Sequence, residues 1–134
     1  MKITSDKETI ATTPERLYNV LVNFLNIEQI PEIPQVSNWT KLDDGCSFTI
    51  MNMITCAMRL TNQQPFSQVG YTISTDKGME AQAKGIIQET GAGCSIQIEI
   101  DADVPVFMQP MIKGPLTQAI NKGLTKIKEL AERS

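Results

Sequence analysis

Two hydrophobic periods divide the chain. From residue 14 onward, Leu17, Val20, Leu21, Phe24 and Leu25 recur every three to four positions, the spacing of one buried helical face. Thr13 can cap the free amides at the start, Pro14 suits the first helical position and Glu15 complements the N-terminal dipole. The pattern predicts a helix over Pro14–Phe24. Ahead of it, Lys2–Ala11 is rich in β-branched and polar residues and reads as a first strand near a sheet edge. Behind it, Asn26 can cap a second short helix over Ile27–Ile30, which Pro31 and Pro34 end. From residue 35 the period changes to two. Strands are expected over Gln35–Leu42, Cys46–Met51, Ile54–Asn62, Gln68–Thr75, Glu80–Glu89 and Cys94–Asp103. Short turn-forming links such as Asp43-Asp44-Gly45 and Asp76-Lys77-Gly78 join them, so consecutive antiparallel hairpins follow. Finally, Leu116, Ala119, Ile120, Gly123, Leu124, Ile127 and Leu130 fill one arc of a long amphipathic helix over Gly114–Arg133. Its only large partner is the sheet.

The alternation says which strand face looks inward. Cys46, Phe48 and Ile50 share one face, as do Ile54, Cys56, Met58 and Leu60; Val69, Tyr71 and Ile73; and Cys94, Ile96, Ile98 and Ile100. Thr55, Arg59, Thr61, Gln97, Glu99 and Asp101 face water. The strand Glu80–Glu89 places Ala81, Ala83, Gly85 and Ile87 inward, and three of these are nearly bare. Gly123 sits in the middle of the apolar stripe on the long helix. Small residues on both sides leave a hollow between sheet and helix. At about 24 cal/mol per Å3, an empty hollow of roughly 300 Å3 costs about 7 kcal/mol. That rivals the whole stability of a domain, so the space is filled by a ligand, by water, or by flexible side chains such as Met58, Met79, Met108 and Met111, or its cost is tolerated for function.

Composition narrows the chemistry. The chain of 134 residues is expected to form one domain over 1–134. With 12 basic and 15 acidic residues, the net charge of −3 shows no basic excess for nucleic acid. The chain has no histidine, which removes Ser-His-Asp and Cys-His nucleophile systems and His-containing zinc sites. Cys46, Cys56 and Cys94 lie outside any CxxC spacing and read as reduced, buried thiols of a cytoplasmic protein. No apolar run is long enough for a membrane span, and the start of the chain has no signal-peptide pattern. Asp43-Asp44 belongs to a turn, and Gly91-Ala92-Gly93 joins two strands, which disfavours a phosphate cradle. No catalytic residue, metal ligand or cofactor site is expected.

The stretch Ile10-Ala11-Thr12-Thr13-Pro14-Glu15-Arg16-Leu17-Tyr18-Asn19-Val20-Leu21-Val22-Asn23 resembles the opening of the SRPBCC superfamily. That superfamily includes the StAR-related lipid-transfer domains, the birch-pollen-allergen-like proteins and the polyketide cyclases. Trp39…Asp43-Asp44-Gly45…Phe48-Thr49-Ile50 is similar to the same family's second hairpin. The resemblance covers nearly the whole chain in element order. It implies an α+β helix-grip fold: a curved antiparallel sheet of about seven strands wrapped around a long C-terminal helix, with two short helices after strand 1. It also implies a cavity for apolar or amphipathic small molecules, while leaving the activity open.

The expected partner is therefore a hydrophobic small molecule, with no nucleic acid, no stable membrane insertion, and a monomer or weak homodimer. Met58, Tyr71, Ile73, Ala81, Ala83, Gly85, Ile98, Leu116, Ile120 and Gly123 are the expected ligand contacts. Tyr71 needs a hydrogen-bond partner, which is either a ligand or backbone and water. Ile30, Phe107, Met108 and Met111 are the expected entrance, with Val104–Met111 either a lip or a packed connector. Trp39 either packs near the helix end or lines the entrance. Two further readings stay open: a cyclase- or aromatase-like enzyme, which needs ionisable groups inside, and an interaction module with a plugged hollow and an outer apolar patch seeded by Ile86.

Overall fold

A computed structural model describes residues 1–24 and 36–133. Eight antiparallel strands form one sheet: β1 Lys2–Thr4, β2 Glu8–Ile10, β3 Val36–Leu42, β4 Gly45–Ile50, β5 Ile54–Gln64, β6 Gln68–Thr75, β7 Glu80–Thr90 and β8 Gly93–Ala102. Helix α1 spans Pro14–Asn23 and α2 spans Gln109–Arg133. The strand order is β1-β8-β7-β6-β5-β4-β3, with β2 also paired to β8. Strands β3 to β8 thus follow one another as hairpins, the consequence of their short turns. α2 lies over the concave face against α1, β1, β2 and β8. The fold is α+β, as the alternation and the helix-grip resemblance imply.

The expected first strand is two strands, because Ser5 interrupts it. The Ser5 backbone N–H donates to the Ile98 carbonyl at 2.8 Å. Its side-chain oxygen then accepts the Ile98 N–H at 2.8 Å and donates to the Asp6 carbonyl at 2.7 Å. A serine hydroxyl here takes the place of a backbone carbonyl, so the ladder to β8 breaks at Ser5 and resumes at Glu8. The sheet therefore has eight strands where about seven are expected.

Helix α1 starts as its sequence requires. The Thr13 side chain accepts the Arg16 N–H at 3.1 Å, Pro14 opens the first turn, and Leu17, Tyr18 and Leu21 are buried. The second helix, expected over Ile27–Ile30, lies outside the described residues. Helix α2 begins at Gln109, five residues before the expected Gly114. Pro110 is tolerated in the first turn, and Pro115 is carried inside the helix, where it cannot donate to the Met111 carbonyl. That glycine–proline pair is what places the apparent start at residue 114 in the sequence pattern.

The three cysteines are free and buried. Burial pushes the Cys46 thiol up to about 12 and raises that of Cys94. Burial, aided by the carboxylate of Asp76, pushes Cys56 up to about 11. These thiols stay protonated at neutral pH and behave as small apolar side chains.

Candidate functional site: an apolar hollow under the long helix

The inward faces of β4 to β8 and the buried stripe of α2 border a partly open hollow of about 150 Å3. Nine of the ten expected contacts border it: Met58, Tyr71, Ile73, Ala83, Gly85, Ile98, Leu116, Ile120 and Gly123. Ala81 does not. It faces a second, smaller hollow of about 70 Å3 with Met79, Val104 and Ile112. The two spaces share Ile50, Ile73, Ile100 and Leu116 as walls. Each is smaller than the roughly 300 Å3 at which drug-sized pockets begin. Left empty, 150 Å3 corresponds to about 4 kcal/mol of lost packing.

The reason for the shortfall is visible at Gly85. A Cβ placed there would lie 3.1 Å from Leu21 Cδ1 and 3.7 Å from Ile96 Cδ1. The bare position on β7 is thus partly a seat for helix α1, which approaches the sheet closely at that point. Bareness at Gly85 reports contact as well as emptiness.

Sequence reasoning did not assign the aromatic wall. Phe24, Trp39 and Phe48 border the hollow. Trp39 stacks on Phe48, with ring centroids 5.6 Å apart at 15°, and meets Phe24 edge-on at 6.0 Å and 86°. Strict alternation puts Val36 and Trp39 on opposite faces, yet both border the hollow. A bulge makes this possible: Ser37 pairs with Thr49, the next pair is Thr40 with Ser47, and Asn38 between them has φ 55°. The inward position of Phe48 followed from its strand's alternation, but that of Trp39 did not.

Tyr71 is buried, and its hydroxyl donates to the carbonyl of Leu21. The partner is therefore backbone, in the last turn of α1. The same carbonyl accepts the Phe24 N–H. Burial, and secondarily the neighbouring Cys46, raise the Tyr71 pKa well above the usual phenol value, so the group stays a neutral donor. Lys84 also borders the hollow, but its ammonium pairs with Glu99 at 3.5 Å on the outer face.

The expected entrance differs from the structure. Phe107 and Met111 are 80% and 58% exposed, and Met108 packs against the core. None of the three borders either hollow. They lie on a short 3-10 turn and the first turn of α2, which begins early enough to carry them away from the interior. Ile30 lies outside the described residues. Of the methionines that could fill the interior, Met58 and Met79 border the hollows, and Met108 and Met111 do not. Ile86, the expected seed of an outer patch, is half-buried between Gln68 and Gln97.

A larger concavity of about 420 Å3 lies on the opposite, water-facing side of the sheet, around Gly70. Several of its polar groups pair with one another. The Thr72 hydroxyl contacts Thr61 Oγ1 at 3.2 Å and Gln82 Oε1 at 3.0 Å, and Lys84 meets Glu99. It is an open saddle on a solvated face. Among the described residues no cluster of three metal-ligating side chains occurs, and no helix is long and apolar enough to cross a membrane.

No protein-family model and no curated protein matches the chain. Solved structures do match in shape. A protein of Chromobacterium violaceum superposes with a TM-score of 0.68 at 15% identity, covering 98% of this chain and 97% of that one. A di-domain ARO/CYC of the steffimycin biosynthetic pathway matches with a TM-score of 0.67 at 13% identity, over 98% of this chain and 51% of its own. A START superfamily protein of Mycobacterium smegmatis gives 0.59 at 13% identity, over 94% and 98%. The chain therefore has the helix-grip fold of the START and aromatase/cyclase structures, a likeness of shape that element order and the residue 10–23 motif already implied.

Proposed function

We propose that this protein binds and carries a compact, largely apolar molecule between sheet and α2. The observation that supports this most directly is the hollow itself, walled by Met58, Ile73, Ala83, Ile98, Leu116 and Ile120. An apolar space of about 150 Å3 is of the size that accepts benzene in an engineered protein cavity. A one- or two-ring ligand is the scale that fits, smaller than a lipid with long chains. Its affinity would come from burial at about 25 cal/mol per Å2.

Binding is favoured here over the cyclase reading. Among the described residues the wall of the hollow carries no carboxylate, and the chain has no histidine, whereas the cyclase reading needs an ionisable group facing the ligand. A cytoplasmic place of action fits the three buried free thiols. The test is an NMR titration with 4-ethyltoluene, alongside native mass spectrometry of the protein purified from its own cells. Saturable shifts confined to the methyls of Met58, Ile73, Ala83 and Ile120, with a retained small molecule, are the expected result. Absence of saturable binding, or shifts centred elsewhere, would overturn the proposal. A second reading, an interaction module, draws on Val106, Phe107 and Met111, which stand exposed in sequence. A protein co-purifying in place of a small molecule would favour it.

A further inference from the structure

The two hollows follow one another along a single line of small side chains. On β7, Gly85 and Ala83 border the larger hollow and Ala81 borders the smaller. Ala81 pairs directly with Ala102 of β8, which borders the smaller hollow too. At that row two neighbouring strands both present only a methyl group. Helix α2 keeps the same order overhead. Ile120 borders the larger hollow, Ile112 the smaller, and Leu116, one turn from each, borders both. Ile50, Ile73 and Ile100 are the other residues between the two spaces. Ile50, Ile73 and Leu116 are only half-buried although they point inward, so they have room to turn aside. Thr75 and Glu80 border the smaller hollow alone. The Thr75 hydroxyl is held by the Met79 backbone at 3.0 Å, and Glu80 is exposed.

We infer that the two hollows form one two-part site for a single ring carrying a short, straight alkyl tail. The ring lies over Ala83, and the tail runs past Leu116 onto Ala81 and Ala102. The inference rests on the reading of the larger hollow as a binding site. That hollow is of the size that holds one benzene ring. The smaller, at about 70 Å3, admits about two groups the size of a water molecule, which is room for the end of a chain and not for a second ring. Ala83 and Ala81 stand two residues apart on one strand face, about 7 Å, a distance spanned by a chain of about four carbons.

The experiment titrates toluene, ethylbenzene, butylbenzene and hexylbenzene into wild type, Ala81→Leu and Ala102→Val, by calorimetry and methyl NMR. In wild type, affinity is expected to rise about four-fold per methylene up to butylbenzene and to level off at hexylbenzene. Toluene shifts the methyls of Ala83 and Ile120, and butylbenzene adds those of Ala81 and Ile112. Either substitution plugs the smaller hollow, so the rise ends at ethylbenzene while toluene binding is unchanged. The wild-type methyl shifts decide the matter alone if neither variant folds. The inference is overturned if wild-type affinity stops rising at ethylbenzene or climbs undiminished to hexylbenzene. It is also overturned if butylbenzene leaves Ala81 and Ile112 unshifted, or if a folded plugged variant keeps the full rise or loses toluene. Failure of all four probes to bind wild type identifies the broader binding reading as the one at fault, and the two-part site falls with it.

Discussion

Ala83 and Gly85 stand two residues apart on the same face of β7, both nearly without side chain, and they serve different ends. Ala83 borders the hollow opposite α2. Gly85 also touches its margin, but the place of its absent Cβ lies against Leu21 of α1 at 3.1 Å. Small residues thus have two physical causes, a space kept open and a neighbour let in close. They look identical along the chain, and only the element packed above tells them apart.

Four experiments probe this difference. Leu21→Ala carries the largest effect. Leu21 is 2% exposed and its loss is expected to cost about 3 kcal/mol, read by chemical denaturation. It would also empty the space above Gly85 and make that position resemble Ala83, so a larger probe should enter the variant. Gly85→Val comes next, at about 2–3 kcal/mol from overpacking against α1. Combined with Leu21→Ala, its cost should be well below the sum of the singles, since the two side chains compete for one space. Additive costs would show that Leu21 is not the reason for the glycine.

Alkaline pH acts on the core around both positions. Cys46 and Cys56 are buried in it, with thiols raised from 9.0 to about 12 and about 11. The folded state holds these protons more tightly than the unfolded state, so their contribution is complete below about pH 9 and falls as pH rises toward the folded values. About 1 kcal/mol per thiol should be lost by pH 10, seen as a lower Tm than at pH 7. Ala83→Leu has the smallest effect on stability, within about 1.5 kcal/mol, because the added carbons have room. Its effect on function is the opposite: the folded variant should no longer bind 4-ethyltoluene. Retained binding in a folded Ala83→Leu protein would place the ligand elsewhere.

Much of this architecture could be read before any coordinates. Period two with short turns fixed six hairpin-linked strands, and the inward sets on β4 to β8 all point as alternation requires. The Thr13 cap and Pro14 located α1 within a residue. What escaped reading has specific causes. The hydroxyl of Ser5 mimics a backbone acceptor and splits a strand that propensity runs together. A left-handed asparagine shifts the phase of β3, so no periodicity could assign Trp39. Tyr71's need for a partner was evident, but that the partner is the end of α1 depends on contact fifty residues away. The helix-grip resemblance lays the Val104–Met111 connector beside the mouth, but the early start of α2 carries Phe107, Met108 and Met111 away from the hollow, and Phe107 and Met111 stand in the open.

The irregularity at Asn38 has one more effect. Among the described residues β3 ends the sheet on its side, and a border strand with unpaired amides invites other chains to add to it. The extra residue bends that border, and Lys41 adds charge to it, so an incoming strand cannot lie flat in register along its length. The distortion that brings an indole to the interior thereby also disfavours strand addition along that border.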